Sequence, residues 1–146
     1  DVIYVGGGNT KSMLAVWKEW KLDKLLFKAY NKGTVLAGVS AGAICWFDTG
    51  ITDSWASNLN YIDCLGILPG SCCPHYDSEK DRKPSVQKFI EHEKIKSVYA
   101  IEDGAAIHFV DDAPYKNISF FKNSKVFFVD KQNSIVQEKP QKMVSI

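Results

Sequence analysis

The stretch Gly38-Val39-Ser40-Ala41-Gly42 lies between two apolar runs, residues 34–37 before it and residues 43–47 after it. A buried strand that turns sharply into a helix exposes the hydroxyl of a serine at the turn, and small flanking residues make room for it. The pattern therefore predicts a nucleophile elbow at Ser40. A strand-to-helix turn whose serine has no chemical role is the alternative interpretation, and partner residues elsewhere in the chain must decide between the two.

Length and charge limit the classes of protein to consider. A chain of 146 residues is long enough for one hydrophobic core, so we expect a single domain over residues 1–146. The 18 basic and 17 acidic residues leave a net charge of +1, which provides no broad field for nucleic acid or an anionic membrane. We therefore expect a small-molecule substrate, with no nucleic-acid or membrane partner.

The four cysteines, Cys45, Cys64, Cys72 and Cys73, form no CxxC pair and no cysteine-histidine array at zinc spacing. Free thiols that pack as small apolar groups fit this pattern best, and we expect no metal and no cofactor. No apolar run approaches the roughly 20 residues of a membrane span, and the start does not resemble a signal peptide. The sequence thus favours a cytoplasmic location.

The pattern of apolar residues predicts an α/β fold. Residues 2–5 form a continuous β-branched and aromatic run, residues 11–30 have helical spacing with a possible break near Lys21, and residues 34–39 form a second buried strand. This is a βαβ unit, which implies a mostly parallel sheet with flanking helices. Further expected elements are strands at 65–68, 71–73, 97–101 and 105–110, a helix at 84–96, and antiparallel hairpins at the C-terminus.

An activated serine needs a base, and the chain has three histidines. His92 lies in a charged helical stretch and His108 lies inside a predicted strand, so both favour structural roles. His75 differs, because it follows a buried strand and its backbone is stiffened by Pro74. The carboxyl end of a strand is where α/β sheets present catalytic groups, so His75 is the predicted base.

Aspartates and glycines supply the remaining candidates. Asp48, Asp53, Asp63 and Asp77 are all possible orienting carboxylates, and spacing alone leaves them open. The amide of Ala41 and the loop Gly6-Gly7-Gly8 are candidate oxyanion donors. A phosphate-binding loop is the competing interpretation of these glycines, but it needs a glycine immediately before its lysine, where this chain has Thr10.

Three motifs in this order, Val5-Gly6-Gly7-Gly8-Asn9-Thr10, residues 38–43 and Pro74-His75-Tyr76, resemble the peptidase E (aspartyl dipeptidase) family of serine peptidases. The fold of that family is similar to class I glutamine amidotransferases. The resemblance covers nearly the whole chain. It implies a serine dipeptidase for small peptides with N-terminal aspartate; another serine hydrolase on the same elbow, or an inactive relative, is the alternative.

The resemblance also implies roles for individual residues. Ser40 would be the nucleophile, His75 the general base and Asp53 the orienting carboxylate. The amides of Gly8 and Ala41 would form the oxyanion hole. Substrate contacts are expected from Gly7, Asn9 and Arg82; Arg82 is the single arginine of the sequence, and simple solvation is its alternative role.

One departure from the family pattern concerns the start of the chain. Family members carry about two further βα units before the glycine-rich strand, and here the chain begins at Asp1, directly before that strand. We therefore expect an N-terminally truncated domain, with an exposed sheet edge that a homodimer could cover.

Overall fold

A computed structural model describes residues 1–121 and 123–145 as an α/β protein with mixed sheets. The elements in chain order are β1 (Val2–Val5), α1 (Thr10–Glu19), α2 (Leu22–Tyr30), β2 (Val35–Gly38), α3 (Ala41–Ile44), β3 (Phe47–Thr52), β4 (Asn60–Asp63), β5 (Leu68–Cys73), α4 (Arg82–Glu91), β6 (Ser97–Ile101), β7 (Ala105–Val110), β8 (Ala113–Ser119), β9 (Val126–Gln132), β10 (Ile135–Pro140) and β11 (Met143–Ser145).

The N-terminal part forms the expected βαβ unit. Strands β1 and β2 pair in parallel, with Val2 opposite Val35. The helical stretch between them is two helices, as predicted, because Lys21 adopts a left-handed backbone with φ 59° that ends the first helix and begins the second. Leu14 and Leu26 are buried on the faces that these helices turn toward the strands, as amphipathic spacing requires.

The remaining strands form a six-stranded sheet, in the order β10-β9-β6-β5-β3-β4, and a three-stranded sheet, in the order β11-β8-β7. The predicted α/β class is confirmed, and the predicted mostly parallel arrangement is present in part, since the sheets are mixed. Strands β3, β5 and β6 pair in parallel, but β4, β9 and β10 join the six-stranded sheet antiparallel, and β7 pairs antiparallel with β8. The C-terminal hairpins β7–β8 and β9–β10 are antiparallel, as predicted, because two-residue connections join their strands.

Three predicted boundaries differ from the observed ones. The helix after the elbow is a single turn, because the apolar run continues at Phe47 as a buried strand whose Ile51 is fully inaccessible. Strand β5 runs through Pro69-Gly70, although separate strands were predicted on either side of this pair. Gly70 has a left-handed φ of 90°, which is typical of a turn. Helix α4 stops at Glu91, and Glu93 follows it in a left-handed conformation.

The main core lies where α4 packs on the six-stranded sheet. Val86 and Ile90 of the helix contact a layer that includes Ile51, Cys73 and Val98, all buried. All four cysteines are free thiols, as predicted. Burial raises the pKa of Cys73 to about 12, so this thiol stays protonated and behaves as a small apolar group.

The face of the β1–β2 pair that points away from the helices exposes apolar side chains, namely Val2, Tyr4 and Val35. Within the described residues, β1 and β2 pair only with each other. The homodimer expected to cover an exposed sheet edge stays a prediction. Of the helices in residues 1–121 and 123–145, none has the length and apolar character that crossing a membrane would require.

Backbone contacts fix the elbow in place. A Cβ added to Gly42 would lie 2.1 Å from the carbonyl oxygen of Val5, and one added to Gly38 would lie 2.1 Å from the carbonyl oxygen of Gly42. Both distances are far below van der Waals contact. The end of β1, the end of β2 and the first turn of α3 can therefore approach one another only because these two positions lack side chains.

We expect Gly42→Ala to lower the free energy of unfolding by about 3 kcal/mol, because backbone atoms, unlike a flexible side chain, cannot yield to the added methyl group. Gly6→Ala is the matched control, since no atom lies within 4 Å of a Cβ there. Urea denaturation measures both variants. Equal stability of the two would show that the close approach at Gly42 does not constrain the fold.

Candidate active site

Ser40 occupies the turn between β2 and α3 in a backbone conformation that side chains rarely adopt, with φ 56° and ψ −118°. Such strain persists only where the surrounding structure enforces it, and it is typical of functional sites. Here the enforcing contacts are those of Gly38 and Gly42. The backbone of Gly7 lies against Ser40, since a Cβ added there would be 3.3 Å from the serine Cβ. The glycine-rich loop and the elbow therefore meet, as the sequence predicts.

His75 lies two residues beyond the end of β5, after the buried Pro74. Its backbone is also left-handed, with φ 56°. The next residue ties this bend to the neighbouring strand, because the amide of Tyr76 donates a hydrogen bond to the carbonyl of Ile101 over 3.1 Å. His75 is thus held at the carboxyl end of the sheet by a backbone that departs from regular strand geometry.

The imidazole of His75 contacts a carboxylate outside the four predicted candidates. Nδ1 of His75 lies 2.7 Å from Oδ1 of Asp103, with 25% of the histidine side chain and 47% of the aspartate side chain exposed. Strand register explains the contact. Strands β5 and β6 are parallel, with Cys73 opposite Ala100, so the residues that follow the two strands emerge side by side. An acidic pair, Glu102-Asp103, directly after a predicted parallel strand was the signal that could have identified it.

Several groups orient Asp103. Its amide donates to Oδ1 of Asp77 over 2.9 Å, and the hydroxyl of Ser124 donates to its carbonyl over 2.8 Å. A hydrogen bond from Ser78, together with the contact to His75, lowers the pKa of the Asp103 carboxyl. The carboxylate is therefore ionised wherever an aspartate normally is, and the stability it contributes is lost only as the pH falls through this lowered pKa.

Asp53, the predicted orienting carboxylate, lies elsewhere. It is exposed and follows β3, in a segment that contacts the start of α1. In that segment, the carbonyl of Ser54 accepts from the Asn9 side chain over 2.6 Å, and the Ser54 hydroxyl accepts from the amide of Thr10. Within the described residues, no hydrogen bond joins Asp53 to His75. The structure therefore does not bring these two predicted partners together, and the role of Asp53 stays a prediction.

The structure places Arg82 in the interior, not at the surface. The residue is 5% exposed. Its Nε donates to Oε2 of Glu79, and its terminal nitrogen Nη1 donates to the carbonyl of Ile51, each over 2.8 Å. The alternative role, simple solvation, is wrong, because the side chain points into the interior and donates to acceptors on β3 and on the loop before α4. Its substrate contact stays a prediction, and in this arrangement the guanidinium is occupied by acceptors of the protein itself.

The residues of the glycine-rich loop that were predicted to contact the substrate differ in their surroundings. Gly7 lies beside Ser40, whereas the side chain of Asn9 caps α1 by accepting from the amide of Ser12 over 2.9 Å. Asn9 therefore has a structural role here, as side chains at helix N-termini commonly do. Ala41 is buried at the start of α3, and Gly8 has φ 149°. Their roles as oxyanion donors stay predictions.

A groove of about 990 Å³ passes over the site. Strand β2 forms one wall and β7 the other, and Ser40, His75 and Asp103 all line it. No hydrogen bond between Ser40 and His75 is present within the described residues, which is common before a substrate is bound. The groove also contains three further carboxylates, Glu102, Asp111 and Asp112, and none of its described lining residues is lysine or arginine.

The other two histidines remain outside a catalytic arrangement. His92 ends α4, and its Nδ1 lies 2.8 Å from the carbonyl of Lys88. His108 is on β7 and packs its ring edge-on against Tyr115. Within residues 1–121 and 123–145, no group of three or more histidine, cysteine or acidic side chains is arranged to hold a metal ion. Ser40, His75 and Asp103 supply a serine hydroxyl, an imidazole and a carboxylate in the groove, whose lining also includes His108.

Several known proteins are similar in sequence to this chain. Residues 1–115 match Peptidase family S51. The chain is 51% identical over 129 residues to "Uncharacterized peptidase YgaJ" of Bacillus subtilis, with 88% of this chain and 56% of that protein aligned. It is 31% identical over 117 residues to "Peptidase E" of Pasteurella multocida, with 74% of this chain and 50% of that protein aligned. The chain spans about half the length of these relatives. The chain therefore belongs to Peptidase family S51.

Proposed function

We propose that this chain carries the catalytic centre of a serine dipeptidase, with Ser40 as nucleophile and His75 as general base. The observation that carries the proposal is the 2.7 Å contact between His75 and Asp103 in the groove that Ser40 also lines. An imidazole with one ring nitrogen on a carboxylate has its other nitrogen directed elsewhere, available to accept a proton from a hydroxyl. The fold that we infer for the domain is that of class I glutamine amidotransferases.

The reaction follows from these groups. The Ser40 oxygen attacks the peptide carbonyl while Nε2 of His75 takes the hydroxyl proton, and the imidazolium then protonates the leaving amine as the C–N bond breaks. Water hydrolyses the resulting acyl-enzyme by the same route, which restores the serine. The amides of Gly8 and Ala41 are the proposed oxyanion donors, and the short distance between Gly7 and Ser40 supports the first of them.

Two carboxylates compete for the role of orienting His75. Asp103 is favoured by direct contact with Nδ1, by its fixed backbone and by its lowered pKa, which keeps it ionised beside an imidazolium. Asp53 is favoured by the family resemblance alone. We propose Asp103 for this role and retain Asp53 as the alternative that mutagenesis must decide.

The proposed substrates are small peptides with N-terminal aspartate, as the family resemblance and the relatives named "Peptidase E" suggest. The carboxylates of the groove would attract the α-ammonium group of a free peptide N-terminus, which supports an enzyme that acts from the amino end. The same carboxylates would repel an aspartyl side chain. A preference for aspartate therefore needs to be measured against neutral dipeptides.

Removal of the nucleophile is the first test. We expect a fluorophosphonate probe to label the wild-type protein and to leave Ser40→Ala unlabelled, because the probe reacts only with an activated serine hydroxyl. His75→Gln should also abolish labelling, whereas His92→Gln should not, since His92 lies at the surface end of α4. Mass spectrometry locates the adduct. Labelling at a serine other than Ser40 would refute the proposal.

The carboxylate is tested with Asp103→Asn and Asp53→Asn. We expect the larger loss in Asp103→Asn, a fall in kcat of about 10³- to 10⁴-fold, because an amide oxygen and nitrogen can no longer hold the imidazole in the required tautomer. Steady-state kinetics on one dipeptide measures both variants. A large loss in Asp53→Asn with near-normal Asp103→Asn would assign the role to Asp53 instead.

Substrate preference is tested with Asp-Leu, Leu-Leu, N-acetyl-Asp-Leu and a simple ester. We expect hydrolysis of the free dipeptides and at least about 100-fold lower kcat/KM for the acetylated one, because acetylation removes the positive charge that the groove carboxylates attract. Chromatographic detection of released leucine measures the rates. Turnover of the ester alone would favour an esterase on the same elbow.

A further inference from the structure

We infer that Arg82 is a positioning residue of the active site: its buried guanidinium holds the loop after His75 in the conformation that keeps the imidazole on Asp103. This inference rests on the proposed function. It gives Arg82 a role different from that of binding the substrate, and it attributes to one interior cation the link between two strand ends and the loop that follows His75.

The contacts of Arg82 link two parts of the sheet end. Nη1 donates to the carbonyl of Ile51 near the end of β3, and Nε donates to the carboxylate of Glu79 in the loop after His75, both over 2.8 Å. The side chain also lies beside the thiol of Cys73, the last residue of β5. One guanidinium therefore joins the ends of two neighbouring strands to the loop that follows His75.

That loop transmits the position of Arg82 to the catalytic pair. The amide of Glu79 donates to the carbonyl of His75 over 3.2 Å, and the amide of Arg82 donates to the carbonyl of Glu79 over 3.0 Å. Asp77 and Ser78 lie between His75 and Glu79, and the side chains of both form hydrogen bonds with Asp103. If the loop shifts, both the strained backbone of His75 and the groups that orient Asp103 shift with it.

The shape of the side chain explains why this position holds arginine. Nε and Nη1 donate in different directions at fixed angles. A lysine ammonium on a flexible stem cannot reproduce this geometry. Only 6% of the Arg82 side chain is exposed, against 47% of the Glu79 side chain, so the cation lacks water and depends on its two protein acceptors. A buried charge of this kind loses much more than a surface ion pair when one partner is removed.

The two roles for Arg82 predict different kinetics. A positioning residue affects the chemical step on every substrate alike. A residue that binds an aspartyl side chain affects KM for Asp-Leu and leaves Leu-Leu unchanged. We expect Arg82→Met to lower kcat about 100-fold on both dipeptides, as a small misplacement of a catalytic group does, with the ratio of their KM values unchanged.

The experiment compares Arg82→Met, Arg82→Lys and Glu79→Gln with the control Lys80→Met, which removes a positive charge from an exposed position in the same loop. Two measurements are made on each folded variant: the kinetics on both dipeptides, and the NMR resonances of the His75 ring, identified with His75→Gln. We expect Arg82→Met to lose the proton resonance of the hydrogen-bonded Nδ1, Arg82→Lys to recover it in part, and Lys80→Met to retain it.

The outcomes separate this inference from the proposed function. An unchanged Nδ1 resonance in Arg82→Met, or a change confined to KM for Asp-Leu, would overturn the positioning role while leaving the serine mechanism intact. A lower melting temperature with unchanged kinetics and ring resonances would also overturn it, since the role would then be structural alone. Failure of the proposed function shows separately, as absence of fluorophosphonate labelling in the wild-type protein.

Discussion

The close approach of backbones at Gly38 and Gly42 is the constraint on which the rest of the site depends. Carbonyl oxygens occupy the space where a Cβ would lie at either position, so β1, β2 and the first turn of α3 contact one another through the main chain. Ser40 lies between these contacts and has a positive φ of 56°. The strain at the serine is therefore balanced by packing a few residues away, which is how a folded protein maintains an unfavourable dihedral angle.

Strand register supplies the second half of the site. The imidazole and its carboxylate come from residues 28 apart in the sequence, and they meet because β5 and β6 are adjacent and parallel. Each follows its strand by two residues, on backbone already held by neighbouring hydrogen bonds. The backbone is therefore already ordered when the contact between His75 and Asp103 forms. A parallel sheet thus places two polar groups at one edge at small entropic cost, which is why such edges so often carry catalytic residues.

Local patterns in the sequence predicted the parts of this site that depend on neighbouring residues. The elbow at Ser40, the break near Lys21 and the strand end before His75 all have signals within a few positions. The choice of carboxylate could not be predicted in the same way, because it depends on which strands are adjacent. Strand β3 also neighbours β5. An acidic residue that follows β3 or β6 is therefore an equal candidate for the contact with His75 until the register and the loop contacts are known. The mixed pairing of the sheets could not be predicted in full for a related reason, since the pairing of β6 with β9 depends on contacts distant in sequence.

Arg82 shows why the composition of a short segment is a poor guide to burial. The run Lys80-Asp81-Arg82-Lys83 has the charge density of a solvated loop, and three of its four residues are indeed exposed. The fourth begins α4 and points inward, between the ends of β3 and β5, where a carbonyl and a carboxylate receive it. Replacing such a pair with apolar groups would often cost nothing in stability. Its contact with the loop that follows His75 therefore fits the proposed positioning role better than a contribution to stability.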